Sequence, residues 1–431
     1  MRILAAVFAT KSSGNLQEPV HALVDGERRS IGQDAKTRYL SSGARTTDLV
    51  DILSSILPRF QSILPESDRL ASAASNISTH MISPTLHSKK FPTNVKLSTL
   101  DLLYKLSKMP QASKTWKRDV SDAFNNPKFF SSPLALVDKG WLPILRQWAL
   151  NDKERITELF SRIVAPTSAG IMFGVGAGAA RLESDRKTQL ALRRVALLTI
   201  ASADDFIVMH LGALEEKITE LFGATVASSP SSVTRAEAFM VIRALILKTT
   251  SIHLAPLWPV ISSELQKAIY SALPGSKEYD TYNALSLLQA CKLLDLLLVV
   301  APEDFQMHEW LFITDTIDAV YRPGHWEPIG LVDEIVEELS TAGPLSPPNP
   351  VTPNSEMYSW KVGNRKSFLL DVKDEVADTS KGEFVSKILR PFFAQLSIHA
   401  FEATYSMAAP DWKACEEMLL KDLFDDRTII G

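Results

Sequence analysis

Asp315 and Asp318 stand one helical turn apart, a spacing at which two carboxylates can share a divalent cation in an all-α enzyme. No second acidic cluster at matching helical spacing accompanies them, and a solvated helix face accounts for them more simply. Gly170 to Gly178 reads GIMFGVGAG, glycines that follow apolar residues and precede a helical pattern, where backbone amides can cradle a phosphate. Gly174, Gly176 and Gly178 make GxGxG rather than GxGxxG, no Gly-Lys-Ser/Thr follows, and no alternating strand–helix pattern surrounds them. The eight histidines are scattered, and His308-Glu309 lacks the second histidine of a zinc motif. Serine occurs in no G-x-S-x-G elbow, and the two cysteines, Cys291 and Cys415, sit in no nucleophile motif. The chemistry open to the sequence is therefore thin. An all-α enzyme with a metal at Asp315 and Asp318, or a phosphate at the Gly170 to Gly178 loop, is the weaker of two functional readings, and no cofactor is expected.

Lys292 and Asp295 are the most informative charges, because they fall one turn apart inside an otherwise apolar helix. Buried charges need partners, so the two are expected to form a buried pair with each other or with a neighbouring helix. Their helix opens the stretch from Leu285 to Tyr321, around which the chain is organised: two apolar helical segments hinged at Pro302. From Leu285 to Val300 the polar residues gather on no single face, which marks a helix with neighbours on all sides. The run is far short of the ~20 apolar residues that a membrane span needs. Leu287, Cys291, Leu294 and Leu298 follow a zipper-like step for under two heptads, less than a coiled coil requires.

Around that stretch the pattern is helical throughout. Periodic apolar segments run over Ser67 to Met81, Asn94 to Lys108, Ser113 to Phe124, Pro133 to Leu150 and Asp152 to Val164. They resume over Leu182 to Ala201, Asp204 to Phe222, Thr234 to Thr249, Pro256 to Leu273 and Leu331 to Leu339. No comparable stretch alternates as a half-buried strand does. Helix after helix with short connections and no fixed period predicts an all-α fold, an irregular α-solenoid of stacked antiparallel helix pairs, HEAT- or armadillo-like, without significant sheet. The expected layout is a partly disordered segment over 1–46, a solenoid over 47–341, a Pro-rich linker over 342–360 and terminal helices over 361–431 that pack on or cap the solenoid. The first residues, MRILAAVFA, read as the end of a buried helix rather than as a leader, as if the chain began inside something longer.

The segment Glu383 to Met407 carries Phe384, Ile388, Phe392, Phe393, Leu396, Phe401 and Tyr405 around Pro391. One face is expected to close the solenoid; the other is a candidate interaction surface for a second copy or another protein, internal packing of both faces being the alternative. A net charge of −4, with 45% hydrophobic and 22% charged residues, gives no general pull towards nucleic acid. Two cysteines far apart in sequence support neither a disulfide framework nor a four-cysteine zinc site, which fits a reducing compartment.

A run of specific clusters resembles the C-terminal region of the Dopey family in its fungal form. They are Trp116-Lys117-Arg118-Asp119-Val120, Asp122-Ala123-Phe124, Phe129-Phe130, Trp141-Leu142-Pro143 and Arg146-Gln147-Trp148. In the same order follow Leu257-Trp258-Pro259, the run Leu288 to Asp295, Phe305 to Trp310 and LRPFFAQLSIHAFEATYSM from Leu389 to Met407. The match covers roughly Asn94 to Phe424. It implies a non-enzymatic helical scaffold, peripheral to membranes, on the cytosolic face of the Golgi and endosomes. The implied partners are a large Sec7-related scaffold protein and a P-type ATPase phospholipid flippase, with self-association through a leucine-zipper-like part. Family members are several times longer, and their N-terminal region has no counterpart in this sequence, so that region's roles do not carry over. The resemblance supplies no catalytic residue and no metal site.

Overall fold

Prolines decide where the long helices change pitch. Pro84, Pro143 and Pro391 each lie inside a helix rather than at its start, where the ring would strike the carbonyl four residues back and leave it unbonded. Those carbonyls belong to His80, Lys139 and Lys387, and each of the three is the middle residue of a π-helical turn: Ser78–Ile82, Val137–Trp141 and Val385–Leu389. The wider turn swings the threatened carbonyl away from the ring and lets the helix continue instead of breaking.

The computed structural model describes residues 42–110, 113–151, 154–164, 177–224, 232–314, 330–341, 364–369, 372, 380–405 and 408–430. The fold is all-α. Among the described residues the one β-type contact is an isolated parallel bridge between Arg365 and Pro410. The chain divides into two compact units, Met1–Lys153 and Glu154–Gly431. The helices of 361–431, expected to pack on or cap the solenoid, fall within the second unit.

The first unit is built around α3 (Leu97–Ser107), whose Leu100, Leu102, Leu103 and Leu106 are all fully buried. Against it pack α1 (Ser42–Ile56), α4 (Ser113–Asn125) and α5 (Leu142–Asn151), with α2 (Ser67–Ile77) continuing through its π turn to Leu86. Helix α1 starts five residues before Thr47, inside the segment expected to lack order. Trp116, Phe124, Phe129, Phe130, Trp141 and Trp148 fill the core, largely edge to face; Phe129 and Trp141 have centroids 5.0 Å apart. Gly140 lets the second π turn approach α3, since a Cβ there would lie 2.5 Å from Leu100 Cδ1.

Among the described residues the second unit stacks four helix pairs: α6 (Glu154–Ser161) with α7 (Ala177–Ala201), α8 (Leu211–Phe222) with α9 (Val233–Lys248), α10 (Trp258–Tyr270) with α11 (Ala284–Val300), and α12 (Leu331–Thr341) with α13 (Arg390–Tyr405). The second helix of each pair forms an inner row, α7, α9, α11 and α13, and α14 (Trp412–Leu423) lies across α9 and α7. Neighbouring inner helices run parallel. At the start of α11 the Asn283 amide donates to Ser232 Oγ at the start of α9 (3.1 Å), and past the end of α7 the Asp205 amide donates to the Lys248 carbonyl at the end of α9 (2.8 Å). Helix α11 is buried on every side, as its sequence requires; Asn283 caps it and Ala301 ends it in the left-handed region at φ 49°. Beyond Pro302 the expected second long helix is absent as far as Thr314. Glu303–Gln306 and Glu309–Leu311 form only single turns.

Candidate functional site

Helices without a polar face must place any charge they carry against another charge, because an unpaired ion in the interior is prohibitive. Helices α9 and α11 are such helices, and with α7 and α14 they assemble one continuous polar network. On α7, Gln189 and Arg193 are four residues apart and share a face. Arg193 Nε donates to Glu237 Oε1 on α9 (2.8 Å), and neither side chain of this pair is exposed. Arg193 also reaches past α14: Nη1 donates to the carbonyls of Leu423 (2.8 Å) and Asp425 (3.0 Å), and Nη2 to Thr428 Oγ1. Gln189 donates to Glu237 Oε1 and to the Thr428 carbonyl, and accepts from the Ile430 amide.

One layer further on, Arg243 of α9 donates to Asp422 Oδ2 (2.7 Å) and to Gln289 Oε1 on α11 (2.7 Å). Lys292 of α11 donates to Asp422 Oδ1 (2.8 Å). Asp422 thus receives one cation on each oxygen. Burial pushes its carboxyl up, but Lys292 and Arg243 outweigh burial and hold it below the ordinary range. Burial dominates at Glu237, whose carboxyl is raised despite Arg193.

Asp295 lies one turn after Lys292, and the two are not a self-contained pair. Lys292 is held by Asp422, while Asp295 Oδ2 accepts from the Leu369 amide (2.9 Å). Of the two partnerships open to these charges, each other or a neighbouring element, both take the second: Lys292 pairs with Asp422 of α14 and Asp295 with the backbone at Leu369. Burial raises Asp295 to about 6, against the pull of the Leu369 and Phe368 amides, Arg243 and Lys292. Opposite it His399 of α13 is lowered by burial to about 4, so its ring is neutral; its Nε2 stands 3.9 Å from Asp295 Oδ1, beyond hydrogen-bond reach.

A cavity of about 370 Å³ opens beside this network, lined by Met240, Leu288, Gln289, Lys381, Asp422 and Arg427 among others. Its cations are occupied: Lys381 donates to the Tyr279 and Tyr282 carbonyls (both 2.6 Å), and Arg427 binds the Asp425 carboxylate. Burial lowers Lys381 to about 8. Cys291 and Cys415 are free thiols buried near the same charges, and burial pushes both up, Cys415 to about 11, which leaves them protonated and unreactive.

In the first unit, Ser83, His87 and Asp122 form a serine–histidine–carboxylate chain that sequence reasoning missed. His87 Nδ1 lies 3.0 Å from the Ser83 carbonyl and 3.2 Å from Ser83 Oγ, and Nε2 lies 3.2 Å from Asp122 Oδ2. Partial burial lowers the imidazole, but the Ser83 carbonyl, Asp122 and Asp119 outweigh it and raise the ring overall. The Ser83 carbonyl and Asp122, one at each nitrogen, favour the protonated ring over one that would take a proton from Ser83. The arrangement ties the helix end at Ser83 to α4. Ser83 and His87 share a helical face in sequence, but nothing in sequence brings Asp122 to them.

Of the two readings of Glu383 to Met407, a free face or internal packing, the described side chains follow the second. Phe384, Phe392, Phe393 and Leu396 are buried within the chain and Ile388 is half-buried. The reason is that α13 is an inner helix with α11 on one side and α12 on the other, which cover these four side chains. The side chains of Phe401 and Tyr405 lie outside the described residues, as do Asp315, Asp318, Gly170 to Ile171 and onward to Gly176, the 342–360 linker and the first 41 residues. Leu287, Cys291, Leu294 and Leu298, the zipper-like stripe, are all buried in this chain's own core.

Fold and network together define a class: an all-α protein of stacked helical hairpins whose terminal helix is pinned by interior ion pairs. The profile of the family described as DOP1 C-terminal matches residues 1–406, and the chain belongs to that family. It is 47% identical to Protein dop1 of Emericella nidulans over 432 residues, covering all of this chain and 22% of that protein. It is 26% identical to Protein DOP1 of Saccharomyces cerevisiae, covering 83% of this chain and 20% of that protein. Protein pad-1 of Caenorhabditis briggsae is 23% identical, over 70% of this chain and 13% of its own length. The chain spans about a fifth of the length of its fungal relatives. No solved structure matches it.

Proposed function

We propose that this chain is a non-enzymatic helical scaffold that acts in vesicle and protein traffic between endosomes and the Golgi, at the cytosolic face of those membranes. Family membership supports the reading, and so does the construction of the second unit. The observation that carries it is the use made of the interior charges: Arg193, Glu237, Arg243, Lys292 and Asp422 are joined helix to helix, and each fixes the position of a helix. A set of stacked hairpins locked in this way offers a large surface of fixed shape, which is what a scaffold needs. The proposed partners are a large Sec7-related scaffold protein and a P-type ATPase phospholipid flippase, with self-association and peripheral membrane contact as further parts of the proposal.

The test is co-purification from cells of the tagged full-length protein, with and without Asp422→Ala. The unaltered protein is expected to recover both partners and to support return of endosomal cargo to the Golgi, and Asp422→Ala to weaken both. Normal cargo traffic in cells that lack the protein would contradict the reading.

A further inference from the structure

The connections that follow α7, α9 and α11 lie side by side along one edge of the second unit. Asp205 joins the first to the second, its carboxylate accepting from the Thr250 amide (2.7 Å) and from Thr250 Oγ1 (2.5 Å). Ser251 Oγ joins the second to the third by donating to Asp304 Oδ2 (2.8 Å). The two non-glycine residues with left-handed backbone among those described, Asp205 (φ 60°) and Ala301 (φ 49°), both stand on this edge. Such a conformation is costly for a residue with a Cβ and persists where the surroundings hold it.

Each connection carries the same short pattern, an exposed apolar residue followed by histidine: Met209-His210, Ile252-His253 and Met307-His308, the last continued by Glu309-Trp310. The apolar members are among the most exposed large hydrophobic side chains of the protein: Met209 90%, Ile252 74%, Met307 64% and Trp310 57%. Trp310 is fixed in place, its indole N–H donating to the Met307 carbonyl at 3.1 Å, so the ring is presented rather than left to fold back. Within 202–210, 249–257 and 301–311 there are five carboxylates, Asp204, Asp205, Glu303, Asp304 and Glu309, and no lysine or arginine. The nearest cation, Lys248, is mostly covered and bridges Asp204 and Glu416. An apolar ridge set among carboxylates is complementary to a segment that is apolar on one face and basic on the other, and it repels an anionic membrane.

We propose that this edge is a docking surface for a basic amphipathic helix of a partner protein, its apolar face on Met209, Ile252, Met307 and Trp310 and its lysines or arginines towards Asp204, Glu303 and Glu309. This rests on the scaffold reading and names the kind of partner the scaffold takes. Aliphatic and methionine side chains adapt to varied apolar faces, while the fixed indole supplies an anchor.

The test is titration of the purified chain with a labelled synthetic helix of leucine and lysine at helical spacing, with the same composition scrambled as control. Anionic and neutral vesicles serve as further probes. The helix is expected to bind, at least about tenfold more tightly than the scrambled peptide, and to weaken as salt screens the carboxylates. Met307→Ser with Trp310→Ser should weaken binding at least about tenfold with an unchanged melting temperature, since both side chains face solvent. Glu303→Gln should weaken it less and flatten the salt dependence. If the double variant lowers the melting temperature, Met209→Ser with Ile252→Ser takes its place. Equal binding of the scrambled peptide, no effect of either apolar double variant, or binding of anionic vesicles in place of the peptide would overturn the proposal. Co-purification of the two proposed partners by a Met307→Ser, Trp310→Ser protein would separate a failure of this edge from a failure of the scaffold reading.

Discussion

Asp422 joins two buried cations of different helices. It is buried and receives Lys292 on one oxygen and Arg243 on the other, so its removal leaves two cations in the interior without that carboxylate. Asp422→Ala is expected to cost about 3–5 kcal/mol in chemical denaturation, and Lys292→Met much less, because a matched apolar side chain leaves no orphaned cation. Asp295 behaves in the opposite sense. Its folded value of about 6 lies above the ordinary 3.8, so folding favours the protonated form. That contribution is complete below pH 3.8 and is lost as pH rises through about 6. Asp295→Asn keeps an oxygen for the Leu369 amide and does not titrate; against the parent it should gain stability between acid and neutral pH, as urea midpoints at several pH values will show. His87 is raised by the Ser83 carbonyl and Asp122 against partial burial. Its contribution is therefore present below the ordinary 6.5 and fades as pH rises through the higher folded value, and His87→Asn should abolish that part of the pH profile. Lys292 and Asp295 were legible in sequence as buried charges because their helix has no wet face. Their partners were not, since Asp422 lies 130 residues from Lys292 and on an amphipathic helix that shows no need of a cation.

At the scale of elements, periodicity located most of the helices, because helices buried on one or more faces repeat their apolar residues every three to four positions. What it could not show is how a proline is accommodated. Pro391 was expected to split the apolar surface of its segment into two faces, the second either free or packed internally. The π turn at Val385–Leu389 instead carries the helix through, and α13 is enclosed by α11 and α12. The same device at Val137–Trp141 depends on Gly140, where a Cβ would meet the fully buried Leu100 at 2.5 Å. Gly140→Ala is expected to destabilise the first unit by about 1–3 kcal/mol, as overpacking does, and a Leu100→Ala background should relieve part of that cost. Ala301 shows the converse. It ends α11 at φ 49°, a place that glycine fills at no steric cost. Ala301→Gly should raise stability by about 0.5–1 kcal/mol in thermal melts.

For the whole molecule, the stacked-hairpin architecture was readable from helix number, short connections and the want of alternating stretches. The terminal helices were expected to pack on or cap the solenoid; what holds them there was not readable, because the proline-rich stretch before them signals only a boundary. Interior ion pairs between α14 and the inner row override that signal: Arg193, Arg243 and Lys292 all reach the last helix or the residues just beyond it. This last helix belongs to the core of the second unit and is held there by charge. Amide hydrogen exchange along α14, measured beside α9 and α11 and repeated on Asp422→Asn, tests it most directly. Helix α14 is expected to exchange as slowly as the inner helices in the parent and to lose protection first in the variant. Fast exchange of α14 in the parent, with α9 and α11 protected, would contradict it.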